Sequence, residues 1–157
     1  MENNQFTLSL ALVDALPVLF FGAAAAMLGV KLQSALFIVG AALCLLAGAG
    51  KVVWKLLLAL RGKDVAFLGV QLRYVMPAGF LLMLLGAILA ERETVLSLLQ
   101  AAVRMPSVFF FALTIVGLIA MVVCAKKFDR FDVRANWIEQ GINAAAQACA
   151  LIGALLL

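Results

Sequence analysis

The chain is divided into apolar runs of roughly twenty residues, the length that crosses a bilayer core of about 30 Å, and short polar or charged stretches separate them. A water-soluble domain would carry about 25% charged residues, whereas here 13% of 157 residues are charged and 67% are hydrophobic. The mean hydropathy is +1.18. So little polar surface cannot cover a globule in water. The fold class read from the sequence is therefore an all-α integral membrane protein: one domain, a bundle of five transmembrane helices.

The expected spans cover about residues 8–30, 34–58, 66–90, 106–125 and 136–157. Two ends stay open. The second span stops somewhere between Gly50 and Leu60, and the third starts between Val65 and Tyr74. Arg61-Gly62-Lys63-Asp64 reads as a turn, the broken apolar segment from Val95 to Val103 as interfacial, and Lys126 to Arg134 as a charged loop. Pro106 suits a first helical turn, where its missing N–H costs little. The first run is not expected to be a secretory signal, because Met1 to Gln5 contains Glu2 and no basic residue. With loops this short, function is expected in the helices and their ends.

Five spans put the termini on opposite sides. One side then receives Lys51, Lys55, Arg61, Lys63, Arg73, Lys126, Lys127, Arg130 and Arg134, nine in all, against three (Lys31, Arg92, Arg104) on the other. Basic residues favour the cytoplasm, which predicts a cytoplasmic N-terminus, an external C-terminus and, for so short a chain, a bacterial inner membrane. The net charge of +4 and pI near 9.3 are thus topology signals rather than a nucleic-acid footprint, since no binding motif accompanies them.

Several chemistries drop out. There is no histidine, which removes His-held haem, His-ligated zinc and a His general base. Cys44, Cys124 and Cys149 are far apart in apolar runs with no CxxC pair, so they read as packing residues. No metal site and no cofactor are expected. Gly48-Ala49-Gly50-Lys51 lacks the strand that a phosphate-binding loop needs. Asp14 and Glu139 alone provide no catalytic constellation.

The informative residues are the polar ones within apolar runs, costly there by about 2.5–3.5 kcal/mol and so candidates for function. Lys51 and Lys55 share one helical face. In a helix continuous to Leu60 they are sunk in the bilayer; in a helix ending at Gly50 they lie among headgroups with Trp54. Arg73 is either deep, beside Gln71, or an interfacial neighbour of Tyr74. Asp14 either caps the first turn or pairs with a cation from another helix. In the fifth span Asn136, Gln140, Asn143 and Gln147 are spaced four, three and four, with Glu139 beside them and small residues between. That composition belongs either to a tight helix interface or to one wall of a polar cavity.

Asp14, Lys51, Lys55, Arg73, Glu139, Asn143 and Gln147 are accordingly the expected ligand-binding residues, gathered in the cytoplasmic half. Three cations against two carboxylates suggest a small anionic solute and a transporter or channel, with possible homo-oligomerisation through the fifth helix. Two other readings stay open: a membrane-embedded enzyme acting on a lipid phosphate, and an accessory subunit docking through that helix.

Overall fold

A computed structural model describes residues 8–61, 65–127 and 133–157. The sequence readings of Met1 to Gln5, of Gly62 to Asp64 and of most of the Lys126 to Arg134 loop lie outside them. The described residues are almost entirely helical and contain no strand. The helices are α1 (Leu8–Lys31), α2 (Ala35–Arg61), α3 (Ala66–Val70), α4 (Leu72–Ile88), α5 (Arg92–Ala102), α6 (Ser107–Lys127) and α7 (Val133–Leu155).

Four segments are long and apolar enough to cross a membrane: Ala11–Lys31, Ala35–Arg61, Ala66–Ile88 and Ser107–Cys124. α3 and α4 form one of them. Gln71 between them keeps helical angles, and its N–H still reaches the Phe67 carbonyl at 2.9 Å. α7 has the length, but its amide stripe leaves it less apolar than the other four. The protein is thus an all-α membrane bundle with four spans evident from hydropathy and a fifth long helix packed among them.

The second helix is continuous to Arg61. Its 27 residues extend about 40 Å at helical rise, longer than a hydrocarbon core. The segment expected at the interface forms α5, an amphipathic helix whose Val95 and Leu98 rest on a cluster formed by Ala25, Leu32, Phe37 and Ala41. Ser34 joins the turn before α2 to the end of α4. Its Oγ accepts from the Phe37 N–H at 3.3 Å, as an N-cap does, and donates to the Gly86 carbonyl at 2.9 Å.

The five long segments form a row. α4 packs on α2, α2 on α1, α1 on α7, and α7 on α6. Burial follows that order: 28% and 33% of the most apolar windows of α1 and α2 are buried, but 6% in α4 and α6, so the first pair is interior and the second peripheral. All neighbours are antiparallel except α1 and α7. Asp14, Lys55 and Glu139 therefore share one end, called here the basic end, where α1, α3 and α7 begin and α2 and α6 finish.

The α2–α4 contact is made by backbones. A Cβ added to Gly40 would lie 2.6 Å from the Gly79 carbonyl oxygen, and one added to Gly79 would lie 2.5 Å from Cys44 Sγ. The Cys44 thiol in turn points at the Met76 carbonyl, 3.6 Å away. Small residues that admit such approach replace the hydrophobic effect as the source of specificity inside lipid.

Between α6 and α7, Gly117 faces Ala146 and Gly153 faces Phe111. The Thr114 hydroxyl lies 2.9 Å from the carbonyl of Phe110 on its own helix and 3.2 Å from that of Ala146 on α7. Thr114→Val is expected to lower stability by about 0.6 kcal/mol, and by no more than about 1.7, read as a small fall in the unfolding midpoint in detergent. A larger loss would mean that Thr114 does more than join two helices.

Candidate functional site

Asp14 lies one turn inside the first apolar stretch of α1, and Lys55 lies in the part of α2 that runs back beside it. Their side chains meet at 2.7 Å between Oδ2 and Nζ, each only 6% exposed. α2 can therefore continue through Lys55, because the charge is matched by a carboxylate rather than by snorkelling. Lys51 and Glu139 are close enough to act on the charge of Lys55. Two ammonium groups and two carboxylates from α1, α2 and α7 thus lie at the basic end, and of these Asp14 and Lys55 form the close pair among the described residues.

Gln140 follows Glu139 on α7 and is buried, with 6% of its surface exposed. Its Oε1 accepts no hydrogen bond among the described residues. A buried acceptor without a donor costs about 1–3 kcal/mol, so this amide belongs to a site that supplies one or to a polar network completed by water.

Further from the basic end, a cavity of about 200 Å³ opens between α1, α2, α4 and α7. Pro17, Val18 and Phe21 line it from α1, Cys44 and Gly48 from α2, and Met76 and Phe80 from α4. Its remaining wall is Asn143 and Gln147. Phe21 and Phe80 meet edge to face across it, ring centroids 5.8 Å apart. Asp14 is three residues from Pro17 and Gln140 three from Asn143, so the charged groups begin about 4.5 Å along those helices. Gly48 belongs to the lining for a local reason: a Cβ there would come within 3.0 Å of Val18 Cγ1.

The expected site residues therefore divide. Asp14, Lys55, Lys51 and Glu139 lie at the basic end, and Asn143 and Gln147 form the amide wall. Arg73 is exposed on α4 and does not line the cavity. Gln140 was not singled out by sequence, although the four-three-four spacing places it in the stripe with Asn143 and Gln147. No group of three metal-ligating side chains occurs among the described residues. The α7 stripe faces inward, since α7 is flanked by α1 and α6 of the same chain. No family model matches this chain, and neither a curated protein nor a solved structure shows significant similarity to it.

Proposed function

We propose that the protein is a transporter or channel for a small solute, which occupies the cavity between α1, α2, α4 and α7. The observation that carries this reading is the cavity itself: about 200 Å³, apolar on three sides, with the Asn143 and Gln147 amides on the fourth. Small-molecule sites have this make-up, mostly apolar with a few placed polar groups. At about 30 Å³ for each water, it holds a molecule of a handful of heavy atoms.

The charge balance bears on the solute. Counting Arg73 with the two lysines favours an anion. With Arg73 exposed and Lys55 held by Asp14, the positive excess disappears, and the two amides suit a small neutral molecule with hydrogen-bonding groups. The ion pair then closes the basic end of the site. An enzyme acting on a lipid phosphate is less well supported, because Asp14 is engaged by Lys55. We further assign α7 as the fifth span, giving a cytoplasmic N-terminus, and place the chain in an inner membrane by its basic flanks. A homo-oligomer belongs to this reading as well, because five short spans have little room for a gate on each side of one cavity.

Thermal unfolding of detergent-solubilised protein against panels of small neutral and small anionic solutes tests the site. A ligand at a hundred times its dissociation constant adds about 2.7 kcal/mol to the native state. The expected result is a raised midpoint with a neutral solute, abolished by Gln147→Leu, followed by flux of that solute into liposomes. A stabilising anion instead would return the solute class to the first expectation. No shift with any solute, and no flux, would remove the transport reading.

A further inference from the structure

We propose that a second crevice, between α2 and the α3 end of the third span, binds the phosphate of an anionic phospholipid headgroup through Lys51, with Trp54 as its flat wall. This site is separate from the solute cavity and stands whether or not that cavity carries a solute. The crevice has a volume of about 300 Å³ and is lined by Lys51, Trp54, Ala66, Gly69, Val70 and Leu72.

The two lysines of α2 have different fates. Lys55 is consumed by Asp14 at 2.7 Å. Lys51, one turn away and half-buried, makes no ion pair among the described residues. It also opposes the like charge of Lys55. A half-buried cation beside apolar walls is costly unless an anion meets it, and among the described residues Lys51 is the one charged side chain in a crevice otherwise lined by apolar side chains and an indole.

Depth identifies the anion. Lys51 is sixteen residues from Ala35, about 24 Å at helical rise, which leaves it about 6 Å inside the edge of a 30 Å core that begins at Ala35. Ala66, on the opposite wall, is twenty-two residues from Ile88, about 33 Å, and so lies at that edge. The crevice thus opens at headgroup level, and a lysine stem covers the remaining distance. Lipid phosphate is the anion fixed at that level. Lysine is a phosphate ligand as a point charge, and tryptophan favours the interface. Gly69 keeps the crevice open beside the indole: a Cβ there would already touch Trp54 Cε2 at 3.4 Å, and a larger side chain would fill the space.

The test uses the full chain in an uncharged detergent, with its unfolding midpoint followed during titration of phosphatidylglycerol, of diacylglycerol, and of soluble glycerol phosphate. Phosphatidylglycerol is expected to raise the midpoint, while the other two leave it unchanged. Lys51→Gln should weaken the apparent affinity at least tenfold, Lys51→Arg should keep it within about threefold, and Gly69→Leu should abolish the shift. Lys31→Gln, at the opposite end of α1, should behave as wild type. Equal stabilisation of Lys51→Gln and wild type overturns the site, as does an equal response to diacylglycerol. An equal response to glycerol phosphate overturns the lipid source and leaves a soluble phosphate as the ligand. Lys51→Arg and Gly69→Leu keep the test decisive if Lys51→Gln does not fold.

Discussion

Asp14→Leu is expected to destabilise the protein by about 3–5 kcal/mol, the cost of leaving a buried charge without its partner. Lys55 and Asp14 are each 6% exposed at the side chain, so water cannot replace the lost carboxylate. The nearby Lys51 adds repulsion, and Glu139 provides the other nearby negative charge. Lys55→Met alone should cost a similar amount for the mirror reason. Asp14→Leu together with Lys55→Met should recover most of the loss, because well-packed apolar residues often replace a buried pair at little net cost. A double-mutant cycle on reversible unfolding in mixed micelles measures this. A single variant as stable as wild type would mean that the pair does not hold the helices. On the proposed transport reading the double variant also separates structure from function: a stable variant without flux would give the pair a part in transport, and normal flux would leave it only joining α1 to α2.

The other large effect is expected at the α2–α4 contact. Gly79→Ala should cost at least about 1–3 kcal/mol, the range for overpacking a filled interior, and Gly79→Leu should separate the two helices. The neighbours cannot yield: a Cβ at Gly79 would meet Cys44 Sγ at 2.5 Å and the Gly40 carbonyl oxygen at 2.8 Å, and the second of these is backbone. Gly141 supplies the contrast. Among the described residues no neighbouring atom lies within 4 Å of a Cβ there, so Gly141→Ala should be neutral or gain up to about 1 kcal/mol from helix propensity. Measured in the same detergent, Gly79→Ala should lower the midpoint while Gly141→Ala leaves it unchanged or raises it. Equal shifts would contradict the close backbone approach of α2 and α4.

The apolar runs located the helices to within a few residues, because twenty apolar residues in a row have few alternatives. They did not settle α2. Whether Lys51 and Lys55 end a helix or lie within it depends on a partner, and Asp14 is brought beside Lys55 only by the turn between α1 and α2. The order of the row was not legible either, since spacing along a helix marks a packing face but not what packs there. Asn143 and Gln147 were legible as a polar face, and the structure adds that the face meets a cavity. Gln140 sat in the same stripe with nothing local to separate it. Arg73 shows the converse limit: its depth was ambiguous in sequence, and the structure leaves it exposed on α4.

The row order also sets a timetable for synthesis. α1 lies at the centre, between the helix that follows it and α7, which leaves the ribosome after the other described helices. The first hairpin can form its Asp14–Lys55 pair as soon as α2 is inserted, and α4 can join it next. The side of α1 that receives α7 stays open while α3, α4, α5 and α6 are made. The cavity between α1, α2, α4 and α7 therefore does not exist until α7 is made, because its amide wall arrives with that helix. Until then the growing protein exposes a helix face that a later helix of the same chain covers.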